Sequence, residues 1–386
     1  MSGPSIFIVA GEKSGDNYGA ALLTAFRAGH PETTAFGVGG SALQAAGLER
    51  LYPMEDLALM GLAEIVGHLP RLRRLFRSLE AEVRRRRPDA AVLIDSPDFN
   101  LRLAARLKKL GVPVLYYVSP TIWAWRPGRI KTIRRNIARM MLIFPFEEKI
   151  YAEAGVPARF IGHPLLERVR TEKGRDEVRA GLGVEPGRPL VALLPGSRRG
   201  EVARHMPTLM EAVPRIAAAT GARFALIKAE DLDEGFLRSF IPPSLVGLTV
   251  VDRSPYDAIA ASDLALSACG TANLEAALLG VPLIAFYKVS PLTYLLGVKL
   301  IRIRLFSIVN ILAGEPLVPE LIQKDFTAAR LADAAIEWLG SAERRDRMKV
   351  RFADIRAGLG GRPASLNAAR ELSDLLKQTK REAPPV

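Results

Sequence analysis

Cysteine is nearly absent: Cys269 is the single one in 386 residues. One thiol excludes an internal disulfide and fits a reducing compartment. Histidine is also scarce, with four scattered residues, so no Cys/His spacing for zinc exists. No stretch of 18 residues is free of charge, so no segment reads as a bilayer-spanning helix. Met1–Ala10 has no basic residue ahead of its short apolar run and is not expected to be a secretory leader. Acidic residues are in deficit, with Asp+Glu at 41 against Lys+Arg at 54, a formal net charge of +13. That excess attracts polyanions such as nucleic acid, anionic lipid or phosphorylated substrates.

What is present is ordinary globular material, 49% hydrophobic and 25% charged, which excludes disorder and fibrous repeats. The length suggests two or three domains. Ser5–Ala10 is a continuous apolar run ending at Gly11, the signature of a buried parallel strand. Similar runs recur at 90–94, 113–118, 140–144, 190–194, 224–227, 264–267 and 283–286. Helical stretches at 101–110, 203–219 and 272–279 lie between them. The alternation predicts βαβ units and mostly parallel sheets. It runs twice, over about 5–160 and again from Leu190, after the polar segment Glu172–Pro189. An α/β chain of two Rossmann-like doubly wound domains facing across a cleft is therefore expected, with ligands beyond the carboxyl ends of the strands. The divisions are placed at 1–165, 166–355 and 356–386, the last a helix that returns to the first domain and ends in a loose tail. No internal repeat is visible in the sequence.

The chemistry-bearing residues fall in the loops after these strands. Gly11–Asp16 can present backbone N–H groups to an anion, with Ser14, Gly15 and Asp16 at its centre; a tight turn capped by Ser14 or Asp16 is the alternative. Asp95–Asn100 carries two carboxylates. Asp98 reads either as a general base or as a helix cap, and no Asp-x-Asp metal pair occurs there. Tyr117–Arg126 sets Trp123 and Trp125 beside Arg126, able to stack on a base or sugar or to anchor the loop in the core. Leu194–Glu201 is a stronger anion site: Gly196 and Ser197 offer donors, Arg198 a phosphate-matching fork, and the helix beginning near Glu201 its N-terminus. Gly270 and Thr271 repeat the device. Glu275, one turn on, can accept from a vicinal diol, and Cys269 reads as a small buried filler.

Two stretches read as membrane contacts or as core helices with a solvated basic face. Leu57–Leu79 places Leu69, Leu72, Leu75 and Phe76 on one side and Arg71, Arg73, Arg74 and Arg77 on the other. Pro291–Leu312 is apolar but interrupted by Lys299, Arg302 and Arg304, and suits a dimer interface equally.

The ordered set resembles the lipid-A-disaccharide synthase family over about 5–325. It comprises Gly-Glu-Lys-Ser-Gly-Asp (11–16), Met60-Gly61, Asp-Ser-Pro-Asp-Phe-Asn (95–100) and Tyr-Val-Ser-Pro-Thr-Ile-Trp-Ala-Trp-Arg (117–126), then Leu-Pro-Gly-Ser-Arg (194–198), Gly-Thr-Ala-Asn-Leu-Glu (270–275) and Asn-Ile-Leu-Ala-Gly (310–314). The resemblance implies an inverting GT-B glycosyltransferase that uses no metal or other cofactor. Such an enzyme joins UDP-2,3-diacylglucosamine to 2,3-diacylglucosamine 1-phosphate on the cytoplasmic face of a Gram-negative inner membrane. It places the base on Asp98, diphosphate binding on Arg198, ribose binding on Glu275 and a further donor contact on Asn310. The family often has Ser where Cys269 stands, which removes one hydroxyl donor. Other UDP-sugar enzymes of the same architecture, the lipid II-forming transferase and UDP-N-acetylglucosamine 2-epimerase, lack the Trp123-Ala124-Trp125 segment. No helix-turn-helix, RNA-recognition or zinc signature supports a nucleic-acid partner.

Overall fold

The computed structural model describes residues 3–58, 65–290, 294 and 303–382. They form two units. The first is Met1–Pro164 together with Leu359–Val386, and the second is Leu165–Gly358.

In the first unit the order is β1 (Ser5–Ala10), α1 (Lys13–Gly29), β2 (Thr34–Gly39), α2 (Ser41–Ala45), β3 (Glu49–Pro53), α3 (Glu55–Ala58), α4 (Ile65–Arg86), β4 (Ala90–Ile94), α5 (Pro97–Lys109), β5 (Val114–Tyr117), α6 (Arg129–Asn136), β6 (Arg139–Leu142), α7 (Glu147–Glu153) and β7 (Ala158–Phe160). The strands make one parallel sheet in the order β3-β2-β1-β4-β5-β6-β7. β1 alternates its side chains between two cores. Phe7 and Val9 join Leu75, Phe76, Phe99 and Ile133 on one face. Ile6 and Ile8 join Leu22 and Phe26 of α1 on the other, with Leu372, Leu375 and Leu376 of the helix Ala364–Glu382. Burying each of those leucines contributes about 1.5–3 kcal/mol, which holds the last helix to this unit. Glu371, on the same helix, is 3% exposed and pairs with Arg139 and Arg159 at 2.8 and 3.0 Å.

The second unit repeats the wiring. After α8 (Leu165–Arg168) and α9 (Arg175–Gly181) come β8 (Leu190–Leu194), α10 (Arg199–Thr220), β9 (Arg223–Ile227), α11 (Glu234–Arg238), β10 (Leu248–Val251), α12 (Pro255–Ala260), β11 (Leu264–Ala268), α13 (Thr271–Leu278), β12 (Leu283–Tyr287) and β13 (Glu320–Ile322). Its parallel sheet runs β10-β9-β8-β11-β12-β13. In each sheet the chain works outward from its first strand, then returns to that strand's other edge. The loops after β1 and β4, and after β8 and β11, therefore leave in opposite directions. That divergence opens a crevice at the carboxyl ends. Four of the five loops singled out from the sequence are those four; the fifth, Tyr117–Arg126, follows β5.

β2 and β3 escape the sequence reading. β2 is glycine-rich because a Cβ at Gly37 would sit 1.9 Å from the Ile8 carbonyl oxygen. β3 is an edge strand with a half-exposed, polar pattern.

The amphipathic reading of α4 needs correction. Leu75 and Phe76 are 7% and 4% exposed, and Phe76 stacks on Phe99 at 4.5 Å, so both face the core rather than lipid. Leu72 is half-buried against the same core. The Leu69 side chain, Met60-Gly61 and most of 291–302 lie outside the described residues. No helix among the described residues is long and apolar enough to cross a membrane.

Candidate active site

In the first unit the candidate residues stand on a strained turn. Asp95 and Ser96 both adopt left-handed backbone, φ 50° and 44°, at a cost of order 1–3 kcal/mol each. Neighbouring bonds force that shape. Tyr116 Oη donates to the Asp95 carbonyl at 2.6 Å. Asn100 Nδ2 donates to the Ile94 and Asp95 carbonyls at 3.0 and 2.8 Å. The turn leaves Asp98 in the first turn of α5, its side chain 57% exposed. Arg126 and Arg129 both donate to Asp98 Oδ1, at 2.8 and 2.6 Å. Both guanidinium groups also lie over the Trp125 ring, at 4.4 and 5.1 Å. Oδ2 carries no bond from a described residue. Asp98 is thus a fixed carboxylate with one oxygen open.

Trp123 is held by Glu147 and Phe146. Its indole Nε1 donates to Glu147 Oε1 at 3.2 Å, and its ring packs edge-on against Phe146. Of the two readings, stacking on a base or sugar or anchoring the loop, these contacts accord with the anchor.

Asp16 is also corrected. Its side chain is fully buried. Oδ1 accepts the backbone N–H groups of Gly40 and Leu43 at 2.7 and 3.1 Å, and Oδ2 that of Ala42 at 3.0 Å. It caps α2 from a distance and has no oxygen turned to a ligand. Gly15 is small because α1 lies against Ile94, whose Cγ2 would be 3.3 Å from a Cβ. Ser14 remains half-buried at the N-terminus of α1, whose Ncap, Glu12, makes no side-chain cap bond.

In the second unit, Gly196 turns at φ 119°, and a Cβ there would lie 3.0 Å from Glu201 Oε2. Only glycine suits this position. Ser197 and Arg198 are exposed beyond it, and the Arg198 side chain reaches Glu201 at 3.6 Å. No side chain caps α10, so its first N–H groups remain unused by side chains. Glu201 accepts from the Tyr287 hydroxyl at 3.2 Å. Burial, with Glu201 alongside, pushes that phenol up to about 12.

His205 ties this turn down. Nδ1 lies 2.7 Å from the Pro195 carbonyl oxygen, while Nε2 accepts the Lys288 N–H at 3.0 Å. That pair of partners fixes the neutral Nδ1–H tautomer. Burial, in a cage of Phe286, Tyr287 and Phe326, lowers the imidazole pKa.

The loop after β11 matches the one after β4. Asn273 Nδ2 donates to the Ser267 hydroxyl at 2.8 Å and to the Ala268 carbonyl at 3.0 Å, with the Ser267 carbonyl at 3.4 Å. Asn100 reaches back by the same five and six residues, so the two units share a device that the sequence does not display as a repeat. Gly270 and Thr271 are exposed, and α13, like α10, has no side-chain cap. Glu275 accepts from the Tyr256 hydroxyl at 3.0 Å. Burial raises its carboxyl pKa, against the Tyr256 bond and the Arg168 charge. Burial, with Glu320 beside it, pushes the Cys269 thiol well up, though the residue itself is only half-buried.

Asn310 does not present its amide to a ligand. Nδ2 donates to the Val318 carbonyl and to Glu320 Oε1, and Oδ1 accepts the Val318 N–H. It staples the loop before β13.

The sequence reading missed Arg129, Glu147, His205 and Tyr256. His205 had a signal: it stands four residues after Glu201, on the same helix face. Among the described residues no cluster of three or more His, Cys, Asp or Glu could hold a metal ion.

The sequence matches the lipid-A-disaccharide synthetase family model over residues 6–371. It is 42% identical to the lipid-A-disaccharide synthase of Myxococcus xanthus, covering 97% of this chain and 98% of that protein. With the synthase of Anaeromyxobacter dehalogenans identity is 44%, over 96% and 97%. In fold it is similar to the calicheamicin glycosyltransferase, at TM-score 0.62 and 15% identity over 100% of both chains. It is likewise similar to UDP-GlcNAc 2-epimerase from Neisseria meningitidis, at TM-score 0.63 and 11% identity over 97% and 99%. A family match along almost all of both chains, on a pair of Rossmann-like units, means that this chain belongs to the lipid-A-disaccharide synthase family.

Proposed function

We propose that the chain is an inverting glycosyltransferase. It joins UDP-2,3-diacylglucosamine to 2,3-diacylglucosamine 1-phosphate and releases the β-1,6-linked lipid A disaccharide 1-phosphate and UDP. The observation that carries this reading is the likeness to lipid-A-disaccharide synthases along nearly the full length of both chains.

Within that reaction Asp98 is the general base. Oδ1 is occupied by two arginines, so Oδ2 receives the proton of the acceptor 6-hydroxyl. The oxygen then attacks the anomeric carbon opposite the nucleotide. The bond from that carbon to the diphosphate breaks, and the configuration inverts. Negative charge grows on the departing UDP. Arg198, the Ser197 hydroxyl and the N–H groups opening α10 and α13 are the groups that offset it, with Gly270 and Thr271 supplying donors at the second helix. Glu275, held by Tyr256, accepts from the ribose diol. Glu201 would repel a diphosphate; its part is to hold Tyr287 and shape the Gly196 turn. The UDP-sugar is a substrate, and this scheme calls for no cofactor.

The exposed Arg73, Arg74 and Arg77 on α4, with Arg71 beside them, give the first unit a basic stripe. Such a stripe supports peripheral binding to anionic lipid on the cytoplasmic face of the inner membrane.

The direct test supplies both lipid substrates in detergent and follows the products by mass spectrometry. Disaccharide 1-phosphate and UDP are expected in equal amounts. Epimerised UDP-N-acetylglucosamine without any disaccharide would move the chain to the other enzyme class that shares its fold.

A further inference from the structure

The mechanism makes no use of the buried polar cluster under the Trp123 loop. Glu147 opens α7, directly after β6, and is 1% exposed. Oε1 takes the Trp123 indole N–H, while Oε2 is buried without a hydrogen-bond partner. An ionised carboxylate left this way forfeits several kcal/mol of hydration. The neighbouring hydroxyls show what relieves it. Ser119 Oγ donates to the Pro120 carbonyl at 3.0 Å and lies 2.8 Å from the Tyr151 hydroxyl. With its own proton spent on Pro120, Ser119 is the acceptor in the Tyr151 pair and retains a lone pair. A neutral Glu147 supplies the missing donor, a carboxyl O–H. An ionised one would draw the Ser119 proton away from Pro120 and loosen the turn.

We propose that Glu147 is a positioning residue. As a neutral carboxylic acid it pins Trp123 and Ser119, and so sets the 119–126 segment from which Arg126 grips Asp98. The activity arm of this inference rests on Asp98 being the base. The segment has reason to need a pin. Val118 and Arg126 both stand in left-handed backbone, at φ 68° and 51°, and such strain persists only where surroundings over-determine it.

The groups facing the carboxyl agree with a neutral acid. Tyr151 comes from its own helix, and Ser119 and Trp123 from the loop after β5. The Phe144 N–H comes from the loop after β6. His163, beyond the Phe144 ring at 5.2 Å, is held neutral by burial, its pKa lowered to about 3. No lysine or arginine among the described residues acts on Glu147. Burial therefore outweighs the Trp123 and Phe144 donors and raises the carboxyl to about 7.

The test compares wild type, Glu147→Gln and Glu147→Ala for tryptophan emission and kcat across roughly pH 6 to pH 9. Glutamine stays neutral, accepts from Trp123 and donates to Ser119. It is expected to keep kcat within about threefold of wild type and to hold that rate at alkaline pH, where wild type declines. Wild-type emission should shift through about pH 7, and the shift should vanish in Glu147→Gln. Alanine, folded by circular dichroism, should lose about tenfold or more in kcat with the donor KM little changed. Wild-type kcat in Glu147→Ala, or an unaltered pH profile and emission shift in Glu147→Gln, overturns the proposal. Asp98→Asn runs alongside. If it retains its rate the base assignment falls, and the emission shift alone decides whether Glu147 titrates against Trp123.

Discussion

Asp16 separates a structural from a substrate-binding role most sharply. Its carboxylate accepts N–H groups from Gly40, Ala42 and Leu43 in a fully buried setting. Asp16→Ala removes three charge-assisted bonds, each worth about 1.5–3 kcal/mol, and leaves buried donors unsatisfied. Allowing for relaxation, the loss is of order 4 kcal/mol, or about 10 °C in the melting temperature of a unit this size. Asp16→Asn keeps one oxygen but turns an NH2 toward N–H donors, and should lose about half as much. An independent perturbation acts on the same group from outside. A Cβ at residue 40 would lie 2.5 Å from Asp16 Oδ2, so Gly40→Ala must displace the carboxylate and destabilise too. The double variant should then fall well short of the sum of the two. Melting by differential scanning calorimetry, with KM for both substrates taken at a temperature where every variant is folded, checks this. A melting temperature within about 1 °C of wild type and a raised acceptor KM in Asp16→Ala would refute the capping role.

Three further outcomes are expected. His205→Phe fills the cage but loses the Pro195 and Lys288 bonds, and should weaken UDP binding about tenfold by calorimetry, since two buried partners are orphaned at about 1–3 kcal/mol each. Glu371→Ala strands Arg139, only 22% exposed, and should cost about 3 kcal/mol while speeding hydrogen exchange across 364–382. Burial lifts Glu147 from 4.5 to about 7, so between those pH values the folded chain keeps a proton that the unfolded chain releases. Stability should therefore fall as pH rises through that window, by about 3 kcal/mol. Urea midpoints at acid and neutral pH should show the fall in wild type and not in Glu147→Gln.

Much of this architecture is legible in the sequence because β1, β4, β8 and β11 are continuous apolar runs, and a strand covered on both faces can be little else. The loops that follow them carry Asp98, Arg198 and Glu275, and loop position alone points to those residues. The edges are harder to read: β3 is half polar, and β2 hides behind glycines required by the close approach of β1. Asp16 and Asn310 mislead for one shared reason. Composition cannot reveal whether a polar side chain is spent on backbone groups or offered to a ligand. Arg129 and Tyr256 are invisible because their partners lie 31 and 19 residues away; His205 shows only its helical spacing from Glu201, since the Lys288 N–H it accepts lies 83 residues away. α4 shows a different ambiguity, since helical spacing of apolar residues is the same whether they meet lipid or core; Leu75 and Phe76 meet the core.

The base assignment is tested most directly by single-turnover kinetics of Asp98→Asn with both lipid substrates in detergent. Asparagine preserves a bond acceptor for Arg126 and Arg129 but cannot take the proton. The rate should fall by about 10²–10⁴-fold, with KM, UDP affinity and melting temperature close to wild type. A rate within a few-fold of wild type would contradict a base at Asp98.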